Sequence, residues 1–99
     1  MTQRTIIQCV ANYTLVTHAD LAATDVERAI GISLRQMEAL RNDSPAWHAA
    51  AVVLRELDTE HVTPLWTAIK REVRRTIRER AERDANIAAM DAILARHGG

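Results

Sequence analysis

Aromatic side chains are nearly missing from this chain: Tyr13, Trp47 and Trp66 make up its 3%, and there is no Phe. A core must therefore be assembled from Ala, Leu, Ile, Val and Met. With only 3 Gly and 2 Pro, few chain reversals are available for hairpins, which favours helices over a sheet. The single cysteine, Cys9, cannot close an internal disulfide, which fits a reducing compartment and makes a cytoplasmic location the expectation. No apolar run approaches the length of a membrane span, and the N-terminus lacks a basic-then-apolar signal pattern, so no membrane partner is expected. Repeats and low-complexity tracts are absent as well.

The residue types that carry catalysis are present but not arranged for it. His18, His48, His61 and His97 show no metal-ligand spacing with Cys9 or with one another, so no metal or other cofactor is expected. Cys9 has no matching base and reads as a small core residue. Glu56, Asp58 and Glu60 precede a proline-started helix and read as a solvated loop rather than an acid/base pair. There is no phosphate-cradling glycine loop and no nucleophile elbow. A non-enzymatic protein is the expectation.

What the chain does have is apolar patterning and a lopsided charge. Its 99 residues are 47% hydrophobic, enough for one domain with a modest core. The net charge is zero, but residues 1–69 hold five Arg against eight acids, a net of −3. Residues 70–83 hold seven basic residues against three acids, a net of +4. The remainder, with Arg96 against Asp84 and Asp91, is −1.

Taken in order, residues 1–16 fit two patterns. Ile6, Val10 and Tyr13 share a helical face, and helix is the reading preferred here. The stretch from Arg4 to Val10, with its β-branched residues, also suits a strand, which would need a second copy of the chain as its partner. Thr17 and Asp20 could cap a short turn at 19–23. Thr24-Asp25-Val26-Glu27 has the form of a capping box, and so does Ser33-Leu34-Arg35-Gln36. Between them, Gly31-Ile32 reads as a tight turn, with Gly31 in the left-handed conformation that ends a helix. Asn42-Asp43 would close the second helix. Ser44-Pro45 and Thr63-Pro64 each place a cap before a first-turn proline. The first starts a helix over 45–57 whose face is Ala46, Ala49, Ala50, Val53, Leu54 and Leu57. The second starts a stretch that runs to about Arg96.

That last stretch carries two apolar stripes. Leu65, Trp66, Ile69, Val73 and Ile77 form one; Ile87, Met90, Ile93 and Leu94 form the other. The polar middle between them could be held by the four-apart pairs Glu79–Arg83, Arg78–Glu82 and Arg80–Asp84. No Gly or Pro interrupts it, which favours one continuous helix over a break near Asp84. A continuous helix would carry the distal stripe beyond the domain, leaving it for another molecule to bury, most simply a second copy in a dimer or higher oligomer.

The 25–41 stretch resembles the helix-turn-helix of DNA-binding regulators: Val26, Ile30, Ile32, Met37 and Leu40 take the apolar places around Gly31, and Ser33 stands where the recognition helix is capped. Glu27 occupies a place that is usually a small Ala. The resemblance implies that the helix from Leu34 enters the major groove of double-stranded DNA, with Arg35, Gln36 and Arg41 reaching bases or phosphates. Arg71, Arg74, Arg75 and Arg78, with Lys70, would then add a phosphate-contacting row. More loosely, the chain resembles phage small terminase subunits and MerR-like regulators, in which such a motif precedes an oligomerising helix; Pro45 starts a helix where a MerR-like wing would lie.

The expected architecture is therefore all-α: a small helical domain over 1–62 with the hairpin at 25–41, and a long C-terminal helix over 63–99. The leading functional expectation is a DNA-binding regulatory protein of helix-turn-helix type; the alternative is a helical inhibitor or adaptor, of phage or plasmid type, that docks on a host protein. Trp66, Ile87, Met90, Ile93 and Leu94 are the expected interface residues, and catalytic residues are expected to be none.

Overall fold

A computed structural model describes residues 2–40, 44–59 and 64–97. Among these residues the chain forms four α-helices and no strand: α1 (Gln3–Thr17), α2 (Val26–Glu38, entered through a one-turn 3-10 helix at Ala23–Asp25), α3 (Pro45–Thr59) and α4 (Pro64–His97). The all-α expectation holds.

The N-terminal segment resolves as helix. Thr2 caps α1, its Oγ1 accepting from the Thr5 N–H at 3.2 Å, a start signal that lies before the β-branched run. Spaced at helical intervals, Ile6, Val10, Ala11, Thr14 and Leu15 are buried. The one buried hydroxyl of this face is satisfied locally, Thr14 Oγ1 donating to the Val10 carbonyl at 2.8 Å. The proline starts also hold. α3 begins at Pro45, where the His48 N–H donates to the Ser44 carbonyl at 3.1 Å, and α4 begins at Pro64. Asn42, Asp43 and Thr63 lie outside the described residues.

The turn expected at Gly31-Ile32 is not formed. α2 runs unbroken from Val26 to Glu38, and no glycine among the described residues has positive φ. The reason is visible in the apolar spacing. At about 100° per residue, Val26, Ile30 and Met37 fall on one face together with Ala29, Ser33 and Leu34, and all six are buried. One continuous helix covers them all, so nothing is gained by breaking it at Gly31. Ile32 and Leu40, which a helix-turn-helix would bury, are each 40% exposed. The two capping boxes dissolve with the turn. Asp25 occupies the cap position with no side-chain cap bond, and Ser33 is fully buried mid-helix with an unpartnered hydroxyl.

The core joins all four helices. Ile6, Val10, Ala11 and Leu15 of α1 meet Val26, Ile30, Leu34 and Met37 of α2, Ala49, Ala50 and Val53 of α3, and Leu65, Ile69 and Val73 of α4. The first half of α4 is thus part of the same core as α1, α2 and α3. Its second half is not. Every residue from Arg78 to His97 is exposed. With 34 residues the helix is about 51 Å long at 1.5 Å per residue, and the molecule measures 60 × 27 × 22 Å. The radius of gyration is 17.1 Å, against about 13 Å for a compact domain of this size. The excess comes from α4 leaving the bundle. The helix stays continuous through Asp84, as its composition favours: residues 78–97 include six alanines and no Gly or Pro, and Ala has the highest helix propensity.

Candidate interaction surfaces of the long helix

Two surfaces lie on α4. The first is the expected basic row. Lys70, Arg71, Arg74, Arg75 and Arg78 line one shallow surface groove together with Thr67. Spacings of three, four and seven residues bring them to neighbouring positions on one side of the helix. The cations differ in their engagement. Lys70 Nζ is 2.8 Å from Glu27 Oε1 and lies 5.8 Å from the centre of the Trp66 ring, so it ties α4 to α2 rather than reaching outward. This is where Glu27 goes: it turns away from the crossing position that the helix-turn-helix pattern would give it. The Lys70 hydrogen bond and charge hold the Glu27 carboxyl below the usual carboxylate range, with Arg74 adding to the effect. Arg75 bonds to Glu72, which also accepts from Gln8 Nε2 of α1 at 3.1 Å. The Arg75 hydrogen bond is the main cause of a lowered Glu72 pKa, with Gln8 contributing; Glu72 in return raises Arg75. Arg71, Arg74 and Arg78 make no ion pair among the described residues and point their charge to solvent.

Arg35 and Gln36 are exposed on α2 but are about 100° apart around it, and no recognition helix separates them from the rest of α2. Arg41 lies outside the described residues. The structure therefore gathers Arg71, Arg74, Arg75 and Arg78 of α4 along one groove, while Arg35 and Gln36 stand on a different helix and diverge.

The second surface is the distal stripe. Ile87, Met90, Ile93 and Leu94 are 51%, 63%, 53% and 63% exposed, and no other described element covers them. Isolated apolar side chains on a surface are ordinary; four within two turns of one helix are a contiguous patch. Trp66, named with them as an interface residue, belongs to the proximal stripe and sits at the domain end of α4, half-buried against the core. The pairs Glu79–Arg83, Arg78–Glu82 and Arg80–Asp84 are not closed as ion pairs, so this segment stands on backbone helicity alone.

A feature that sequence reasoning missed lies where α4 leaves the bundle. Leu15 and the turn after α1 (His18, Ala19, Asp20, Leu21) form a groove with Ile77, Arg80, Ala81 and Asp84 of α4. Its signal was the half-apolar run Ala19-Asp20-Leu21-Ala22, which has no periodicity of its own and becomes a wall only once α1 is placed. A second cleft, between that turn and α2, is lined by His18, Asp20, Asp25, Arg28 and Ile32 among others. Cys9 is half-buried, and burial pushes its thiol pKa up, away from nucleophilic use. Among the described residues no three His, Cys, Asp or Glu side chains converge as metal ligands, and no helix is long and apolar enough to cross a membrane. Comparison with protein-family models, curated proteins and solved structures returned no match, so the functional reading rests on the chain's own geometry.

Proposed function

We propose that this chain is a non-enzymatic helical docking module whose working surface is the free half of α4, an adaptor or inhibitor that engages another protein. The observation that carries the reading is the distal stripe: Ile87, Met90, Ile93 and Leu94, each more than half exposed, on a helix that projects clear of its own core. A small soluble domain gains nothing from holding such a patch in water, and apolar anchors on an amphipathic helix are the usual means of docking into a groove or bundle. The test is affinity capture from the native host with the intact chain beside Ile87→Lys/Leu94→Lys. Both positions are exposed, so the double variant keeps its fold. A partner recovered by the intact chain and lost from the variant supports the reading. An identical set of partners from both contradicts it.

A second reading, a DNA-binding regulatory protein, is favoured by one specific observation: Arg71, Arg74 and Arg78 make no ion pair among the described residues and share a face. Arginine pairs well with phosphate, and such a face would give sequence-independent, salt-dependent attachment to the backbone of double-stranded DNA. With α2 continuous, this reading stands on α4 and no longer on a recognition helix. A salt-titrated gel shift on random duplex tests it. Binding at low salt that weakens in Arg71→Ala/Arg74→Ala/Arg78→Ala, with a salt slope reduced by about 3, supports it; no shift at low salt refutes it.

A further inference from the structure

The groove at the base of the free helix and the stripe at its tip are both uncovered, and they are spaced to serve each other in two copies of the chain. Ile77, Arg80, Asp84, Ile87, Asp91 and Leu94 follow one another at alternating intervals of three and four residues. That is the seam spacing of a two-helix coil, about 26 Å long at 1.5 Å per residue. We propose that the free half of α4 pairs antiparallel with the same segment of a second copy, so that Leu94 of each chain enters the partner's groove beside Ile77. The inference rests on the docking reading above and names its occupant.

Charge decides the direction. In a parallel pair each seam position meets itself: Arg80 would face Arg80, Asp84 would face Asp84, and Asp91 would face Asp91 across the axis. Half of the seam layers would then oppose like charges, which is destabilising. Reversing one chain puts Ile77 opposite Leu94, Arg80 opposite Asp91, and Asp84 opposite Ile87. Each of these layers occurs twice, as the two-fold symmetry of an isologous interface requires. Arg80 and Asp91 then neutralise one another, and Met90, at the seam's flank, lies near the aliphatic stem of the partner's Arg83.

Size points the same way. Pairing through the stripe alone would bury Ile87 and Leu94 of each chain in the seam with Met90 at its flank, six large aliphatic side chains in all, while Ile93 stays on the outer side. At about 100 Å² each, and already half covered by their own helices, they fall short of the roughly 1,000 Å² expected of a specific interface. Extending the overlap to Ile77 adds that residue and Leu21 of the groove wall, both partly buried, on both sides. The basic face stays open: Lys70, Arg71, Arg74 and Arg78 are centred roughly a third of the circumference away from the seam at about 100° per residue.

Sedimentation across a wide concentration range, combined with charge reversal, tests this on the full chain. Intact protein should approach twice the chain mass of 11.1 kDa. Arg80→Glu and Asp91→Arg should each weaken pairing tenfold or more, and the two together in one chain should restore it. In a Cys9→Ala background, Arg80→Cys and Asp91→Cys chains should form a mixed disulfide when combined and none when alone. Disulfides from Arg80→Cys alone or from Asp91→Cys alone would mean a parallel pair and would overturn the proposal. A chain that stays monomeric at every concentration overturns self-pairing and leaves the tip to a different protein. A dimer that survives Ile87→Lys/Leu94→Lys overturns the docking reading itself, because the contact then lies elsewhere.

Discussion

Replacing Gly31 by Ala should stabilise the protein. A glycine inside an α-helix costs about 0.8–1 kcal/mol relative to alanine, because it gives up more backbone freedom on folding and adds no packing. At this position nothing offsets the gain. Gly31 lies mid-way along α2 with ordinary helical φ, and a Cβ placed on it would have no atom within 4 Å beyond its own helix. A gain of about 0.5–1 kcal/mol follows, and with it a rise in Tm of about 2–8 °C for a domain of this size. Urea unfolding followed by far-UV circular dichroism reads the change directly. The midpoint should move up with an unchanged slope, since the surface exposed on unfolding stays the same. If Gly31 were instead the left-handed turn of a helix-turn-helix, alanine would be strained there and the midpoint would fall, by more than the gain expected here. A loss of stability in Gly31→Ala would therefore refute the continuous helix and revive the recognition-helix reading of residues 34–41.

Two further outcomes follow from the same core. Ser33→Ala should leave stability unchanged or raise it, because the buried hydroxyl has no hydrogen-bond partner and removing it relieves an unsatisfied polar group. A helix-capping serine would instead cost about 1 kcal/mol on the same change, so chemical denaturation separates the two roles. Stability should also decline in acid. Glu27 and Glu72 both have carboxyl pKa values lowered in the fold, so the stability they contribute is present above the unfolded Glu value of about 4.3 and is lost as pH falls through the lower folded values. The slope of unfolding free energy between about pH 5 and pH 3 should be shallower in Glu72→Gln than in the parent; an equal slope would mean that the contacts of Glu72 with Arg75 and Gln8 contribute nothing.

The parts of the fold that were legible in the sequence are those in which a local signal and a long-range one agree. Ser44-Pro45 and Pro64 start helices because a first-turn proline loses no hydrogen bond, and the apolar spacing that follows each needs a helix as well. The continuity of α4 was readable from the absence of any Gly or Pro between Leu65 and Arg96. Around Gly31 the two kinds of signal disagreed. Locally, Thr24, Ser33 and the glycine spell caps and a turn. Globally, Val26, Ile30, Leu34 and Met37 form one uninterrupted apolar face, and burying it outweighs the glycine's preference of about 1 kcal/mol. Glu27 shows the same competition: its sequence neighbours offered a capping box, but Lys70, 43 residues on, holds its carboxylate. The candidate site was half readable. The distal stripe could be named residue by residue, since a helix that outruns its core exposes whatever apolar residues it carries. The groove could not, because its walls come from α1, the turn after it and α4, and only the packed bundle brings Leu21 beside Ile77.

On its own, the distal half of α4 should be a helix with an open apolar stripe that only another molecule covers. Amide hydrogen exchange at several protein concentrations tests it most directly. Amides of residues 84–97 should exchange faster than those of the core in dilute solution and become protected as concentration rises, while those of residues 65–77 should be protected throughout. Protection of residues 84–97 that is already present in dilute solution and independent of concentration would mean that the stripe is covered within its own chain, and would contradict it.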